Sequence, residues 1–168
     1  RGGNVLGTNG SVIHIFMNQL RRKQEIGITD AKMTRFFLTL EDAIKLLFKA
    51  SKEALGGEIF VMVMPSCRII DLADVLAEEL GVINYKIREL GIRPGEKIHE
   101  ILYSEYESQS TIVYDHEYLV ILPSLQIPGL REAYSAYPPV QKPTYSSADF
   151  LMSREEIRQM LKKGRFLP

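Results

Sequence analysis

Apolar positions in this chain recur with two different periods, and the switches between them mark its elements. After the loop Asn4-Val5-Leu6-Gly7-Thr8-Asn9-Gly10, Ser11 opens a segment in which Val12, Ile13, Phe16, Met17 and Leu20 share one face at helical spacing. Arg21, Arg22 and Lys23 crowd its C-terminal end, where the helix dipole favours cations. Residues 26–29 read as a short strand. Thr39 begins a second helix with Thr39-x-x-Asp42, close to a capping box, an apolar stripe of Ala43, Ile44, Leu46, Leu47 and Ala50, and Gly56-Gly57 as its terminator. Residues 58–64 form a nearly continuous apolar run stopped by Pro65, the pattern of a strand buried on both faces.

Further along, residues 71–80 predict a helix with Leu72, Ala73, Val75, Leu76 and Leu80 inward, ended by Gly81. Residues 85–90 alternate like a strand, 91–96 form a loop, and 118–122 give a last strand. From 123 to 148 periodicity fades, and Pro123, Pro128, Pro138, Pro139 and Pro143 describe an extended arm. A final helix starts at Ser153, with Ser153-x-x-Glu156 as capping box and Ile157, Met160 and Leu161 inward. Helices alternating with strands, without an internal repeat, predict an α/β fold.

The 168 residues suffice for one domain with a real core. Lys plus Arg and Asp plus Glu number 21 each, so the net charge is zero, and a protein that binds nucleic acid by counterion release is not expected. The single cysteine, Cys67, forms no intramolecular disulfide, and its use agrees with a reducing compartment. No metal site is expected, because no Cys/His cluster has zinc spacing. No apolar run approaches the ~18 residues of a membrane span, and the opening residues lack the apolar core of a signal peptide. The chain starts without Met, at what reads as a buried strand and tight loop, and is expected to be a piece of something longer.

Candidate chemistry rests on two loop arginines and a glycine loop. Arg35 lies between the turn Thr29-Asp30-Ala31-Lys32 and Phe36-Phe37. Arg93 lies in Ile92-Arg93-Pro94-Gly95-Glu96-Lys97, where Pro94 pushes Arg93 out of helical geometry and Gly95 permits a tight turn. Guanidinium forks match phosphate geometry, and a nearby carboxylate can take sugar hydroxyls. From residue types and spacing alone, ordinary surface or interface ion pairs are the commoner fate for both arginines. The glycine loop running into Ser11 presents backbone N–H groups at a helix N-terminus, which is an anion site or simply a loop and N-cap. His14, His99 and His116 are not paired by any helical spacing, Cys67 reads as a core or loop residue, and Tyr134, Tyr137 and Tyr145 pack the arm.

Taken in order, the segments Arg1-x-Gly3-Asn4-Val5-Leu6-Gly7, Gly10-Ser11-Val12-Ile13, Thr29-Asp30 with Met33-Thr34-Arg35-Phe36-Phe37, Gly57-Glu58-Ile59-Phe60-Val61, and Gly91-Ile92-Arg93-Pro94-Gly95-Glu96-Lys97-Ile98-His99-Glu100 form one series. That series resembles the C-terminal half of the UDP-N-acetylglucosamine 4,6-dehydratases, including the inverting enzymes of capsule and flagellin-sugar synthesis, within the extended short-chain dehydrogenase/reductase superfamily. The likeness is dense over residues 1–122 and continues weakly to Tyr145-Ser146-Ser147. Gly2 stands where the family usually has Tyr, and His14 where it usually has Pro.

The resemblance implies the substrate-binding part of an extended short-chain dehydrogenase/reductase fold lacking the Rossmann, nucleotide-binding half. Residues 1–122 would form a UDP-sugar-binding α/β domain and 123–168 a proline-rich arm and C-terminal helix. In the family, NADP or NAD takes hydride from C4 of the sugar, water leaves across C5–C6, and the hydride returns to C6. This chain has no Gly-x-Gly-x-x-Gly and no Tyr-x-x-x-Lys, so no catalytic residue is assigned to it, no cofactor is expected on it, and alone it is expected to be inactive. Carried over, Asn4, Arg35 and Arg93 would contact the diphosphate of the UDP-sugar and Glu96 the uridine ribose, while Ser11, Val12 and Thr29 would line the nucleoside end. The partners implied are the missing N-terminal half and a further copy in a homo-oligomer. The location implied is cytoplasmic, with a membrane-anchored N-terminal region in the full-length protein left open. Two alternatives stand beside this: a UDP-sugar 4-epimerase fragment, and an autonomous, non-enzymatic interaction domain.

Overall fold

A computed structural model describes residues 1–23 and 25–167, Lys23 by its backbone alone, so the expected Lys23 charge at the helix end lies outside the described side chains. The order of elements is β1 (Asn4–Val5), α1 (Val12–Lys23), β2 (Glu25–Ile28), β3 (Thr34–Leu38), α2 (Leu40–Glu53), β4 (Ile59–Met62), β5 (Ser66–Arg68), α3 (Ile69–Glu79), β6 (Lys86–Glu89), β7 (Ile101–Tyr103), α4 (Glu105–Ser108), β8 (Thr111–Val113), β9 (Tyr118–Ile121), α5 (Leu130–Ala133), β10 (Tyr145–Ser146) and α6 (Arg154–Lys163). The fold is mixed α/β, as the alternation predicts. The chain divides into two compact units that interleave in sequence.

One unit takes residues 4–40, 65–100 and the chain from Ser147 on. In it β3 lies between β1, parallel to it, and β5, antiparallel to it, while β2 and β6 form a separate parallel pair. Ile13, Phe16 and Leu20 of α1 meet Leu72, Val75 and Leu76 of α3 and Ile157 and Leu161 of α6, and these side chains are almost wholly out of water. That burial is what holds the short helices, since helices of this length are marginal alone. At its exposed margin Arg154 reaches Asp74 and Glu78, and Arg158 reaches Glu79. The Ser153 capping box forms as its spacing predicts, the hydroxyl accepting from the Glu156 N–H and the Glu156 carboxylate accepting from the Ser153 N–H.

The other unit takes residues 1–3, 41–64 and 101–146. Its sheet is antiparallel in the order β4-β9-β8, and β10 pairs antiparallel with β7. Phe60, Val61 and Met62 are all buried, which fits the apolar run of β4. Arg1 runs along the free edge of β4, its N–H group donating to the Phe60 carbonyl and its carbonyl accepting from Met62 N–H. Residues 123–148 contain α5 and β10, two elements too short to give a periodic signal. The apolar stripe of α2 lies largely outward. Leu46 is buried, whereas Ile44, Leu47 and Phe48 are exposed, the last two by about 70%. Helical spacing tells which residues share a face but not whether anything covers it.

Candidate functional site

The 4–40, 65–100 unit contains a cavity of about 470 Å³ bordered by the start of α1, and all seven sequence-predicted site residues line it. Asn4 comes from β1, Ser11 and Val12 from the entry to α1, Thr29 from the bend just after β2, Arg35 from β3, and Arg93 and Glu96 from the loop after β6. Phe16, Ile28, Met33 and Phe37 supply apolar wall, so the cavity combines a greasy side with a charged one.

The loop into α1 is built by two glycines with positive φ, Gly7 at 76° and Gly10 at 77°. A side chain at Gly7 would also strike the Phe166 ring, 2.4 Å from where its Cβ would stand. The Thr8 carbonyl accepts from Ser11 N–H at 2.8 Å, and the Ser11 carbonyl starts the helix by accepting from Ile15 N–H. The Ser11 side chain does not behave as an N-cap. Its Oγ is buried and, among the described residues, is the one buried side-chain polar atom without a hydrogen-bond partner. A buried hydroxyl left unsatisfied costs about 1–3 kcal/mol, so one that borders a cavity next to a helix N-terminus is poised for a polar ligand.

Arg93 sits as its sequence predicts. Its carbonyl accepts from Glu96 N–H at 3.0 Å across a turn in which Gly95 has φ 83°, the geometry of a type II turn. Glu96 is fastened from two sides, Oε1 accepting from the Thr29 hydroxyl at 3.2 Å and Oε2 from Arg93 N–H at 3.3 Å. Thr29 thus holds a carboxylate as well as lining the wall. Ionised carboxylate oxygens accept further bonds, so these leave capacity for a ligand hydroxyl.

Arg35 departs from expectation. It is a strand residue of β3 and not a loop residue, because Thr34–Leu38 is a β-branched and aromatic run that pairs on both sides. Its guanidinium is partly committed: Nη1 donates to the Thr34 carbonyl at 2.7 Å and the Ile98 carbonyl at 3.1 Å, and Nε lies 3.7 Å from Glu100 Oε1. Asn4 is similarly engaged, Nδ2 donating to the Phe36 carbonyl at 3.1 Å and to the Glu100 carboxylate at 3.0 Å. Glu100, which also accepts from Phe36 N–H at 3.1 Å, is therefore a hub under the site. It carried no site assignment in the sequence, since the partners of its carboxylate are 64 to 96 residues away. Elsewhere, burial pushes the Cys67 thiol up, which agrees with an inert core residue.

The residues present do not make a dinucleotide cradle. The strand before the α1 loop is two residues long, and the loop lacks Gly-x-Gly-x-x-Gly. Among the described residues no helix is long and apolar enough to cross a membrane, and no cluster of three His, Cys, Asp or Glu side chains could hold a metal ion.

Comparison with known proteins matches residues 1–122 to the family model described as polysaccharide biosynthesis protein. The chain is 42% identical over 127 residues to a UDP-N-acetylglucosamine 4,6-dehydratase (inverting) of Campylobacter jejuni, a match covering 75% of this chain and 36% of that protein. It is 42% identical over 104 residues to a UDP-glucose 4-epimerase of Rickettsia canadensis, covering 62% of this chain and 30% of that one. Among solved structures it is similar to Pen from Bacillus thuringiensis, with TM-score 0.85 and 35% identity over 100% of this chain and 49% of that one. The chain thus spans about a third of the length of these curated relatives and about half of the solved structure. The ordered motifs and these matches agree: the chain belongs to the polysaccharide biosynthesis protein family, within the extended short-chain dehydrogenase/reductases that include the UDP-N-acetylglucosamine 4,6-dehydratases.

Proposed function

We propose that this chain is the substrate-gripping part of a nucleotide-sugar 4,6-dehydratase acting on UDP-N-acetylglucosamine in surface polysaccharide or glycan synthesis, and that the cavity at the start of α1 receives the UDP moiety. The observation that carries this is the convergence of Arg93, Arg35 and the unsatisfied Ser11 hydroxyl on one cavity beside a helix N-terminus. In this reading Arg93, the N–H groups of the first turn of α1 and the uncommitted edge of Arg35 neutralise the diphosphate. Glu96, held by Thr29 and by the Arg93 backbone, takes the ribose hydroxyls, and the apolar wall near Val12 and Ile28 receives the base. In this reading catalytic groups and NADP or NAD belong to another part of a longer cytoplasmic protein, which the greater length of the relatives supports. The exposed face of α2 supports association with further polypeptide, whether that other part or a second copy.

Epimerase chemistry on a UDP-sugar is the second reading, favoured by the likeness to the Rickettsia UDP-glucose 4-epimerase. Both readings share the UDP grip. Calorimetric titration of the protein with UDP, with UMP as the control lacking one phosphate, tests that grip: saturable binding of UDP, at least tenfold tighter than UMP, is expected, and no binding of UDP overturns the assignment. Incubation of the longer protein with UDP-N-acetylglucosamine then separates a 4-keto product with loss of water from an epimer.

A further inference from the structure

Behind the cavity wall lies a small buried hydroxyl cluster that the proposed function does not use. Ser147 is fully buried and Thr34 nearly so. Their hydroxyls are 2.6 Å apart, and Thr34 Oγ1 is 2.8 Å from His99 Nδ1. The Ser147 Oγ accepts from Glu100 N–H at 2.9 Å and donates to the Thr34 carbonyl at 3.2 Å, while the Ser147 N–H donates to the Glu100 carbonyl at 2.9 Å. The Thr34 N–H in turn donates to the Ile98 carbonyl at 3.0 Å.

These bonds join three segments remote in sequence. The Thr34 and Ile98 carbonyls that Ser147 and Thr34 fix are the same two that receive Nη1 of Arg35. Glu100, which Ser147 grips by its backbone on both sides, carries the carboxylate beside Arg35 Nε and under Asn4 Nδ2. Ser147 thus lines no part of the cavity yet bonds the Thr34 carbonyl and the Glu100 backbone, while the Thr34 N–H holds the Ile98 carbonyl, so the pair together constrains the acceptors that aim Arg35.

Resting on the UDP-binding reading above, we propose that Ser147 and Thr34 are positioning residues for the diphosphate grip: their paired hydroxyls clamp β3 to the 98–100 segment so that Arg35 presents its uncommitted edge to the ligand. A rigid guanidinium matters because its fork binds a phosphate in one orientation. Losing the clamp leaves Arg35 charged but free to choose other rotamers, so binding weakens without a new clash.

The test is titration with UDP of the protein carrying Ser147→Ala, Thr34→Val or Thr34→Ser, each also placed on an Arg35→Ala background, with thermal melting to follow the fold. Ser147→Ala and Thr34→Val are expected to raise the UDP dissociation constant roughly five- to twentyfold, Thr34→Ser by less than about twofold, and Ser147→Ala by less than about twofold once Arg35 is gone. Unchanged affinity in Ser147→Ala overturns the proposal, as does an equal loss with and without Arg35, which marks a merely structural serine. Should Ser147→Ala fail to fold, Thr34→Val against Thr34→Ser decides on the same terms. If the unaltered protein does not bind UDP, the functional reading falls and takes this inference with it, whereas binding that ignores the hydroxyls overturns the inference alone.

Discussion

The two units differ in what their polar groups leave unspent. In the unit of residues 41–64 and 101–146, polar side chains are spent on each other. The Tyr114 hydroxyl donates to Glu53 and that of Tyr134 to Glu58, while Tyr145 bonds both the N–H and carbonyl of Met64. Bonding to Glu53, with burial, pushes the Tyr114 phenol upward, and burial, with bonding to Glu58, does the same to Tyr134. Lys49 sits over the Tyr114 and Tyr118 rings while pairing with Glu53 and Asp115. Tyr137 stacks on Tyr114 at 4.9 Å. In the unit of residues 4–40 and 65–100, a helical core is equally closed, yet polar capacity collects unspent around one cavity: the Ser11 hydroxyl, the Arg93 guanidinium and one edge of Arg35. Satisfied networks fix structure, and unsatisfied groups held by a rigid frame recognise ligands.

The largest expected effect comes from attacking the frame. Leu72 has no exposed surface and does not line the cavity, so Leu72→Ala should cost about 2–5 kcal/mol by removing buried methyl groups and leaving a void. Amide hydrogen exchange should show protection falling first in α1, α3 and α6. Loss spread evenly over both units would mean that they are a single cooperative body.

Next is Arg93→Ala, whose exposed side chain holds little of the fold. A ten- to hundredfold weaker UDP affinity is expected, about 1.4–2.8 kcal/mol, with Arg93→Lys recovering part of it. Equal dissociation constants for Arg93→Ala and the unaltered protein would make Arg93 an ordinary surface charge.

Ser11→Ala sharpens the contrast between recognition and structure. Because its hydroxyl makes no capping bond, the substitution should leave the melting temperature unchanged or higher, while UDP binding weakens several-fold. A drop in stability without a change in binding would show that the serine serves the helix.

The smallest effect lies in the other unit. The Arg1 guanidinium and the N–H of Ser104 hold the Glu107 carboxyl down to about 2. A carboxyl depressed in the folded state stabilises above its unfolded value near 4.5, and that contribution fades as pH falls from there toward 2. The pair is partly exposed, so less than about 1 kcal/mol is at stake. Urea midpoints at about pH 6 and about pH 3 should move closer together in Glu107→Gln than in the unaltered protein.

Arg35 and Arg93 illustrate how much of the site was legible. Pro94 and Gly95 follow Arg93 directly, so its turn is a local matter that residue types decide. The setting of Arg35 depends on Ile98 and Glu100, more than sixty residues away, and on a tail serine at 147. Glycine and serine at the entry to α1 announced a polar helix start, but only packing took the Ser11 hydroxyl away from the cap.

By itself the sequence determined the long elements with strong periodicity, namely α1, α3, α6 and the apolar β4, along with the Ser153 capping box, the tight turn at Gly95 and the ordered motifs that carry the family. Each of these is settled by side chains a few residues apart, through helical or strand spacing and backbone freedom. The tertiary structure alone decided that Arg35 is a strand residue, that Glu100 is a hub and that the apolar face of α2 lies outward. It also decided that strands of two to four residues pair at all, because such strands gain their hydrogen bonds and burial only from partners brought near by the rest of the chain.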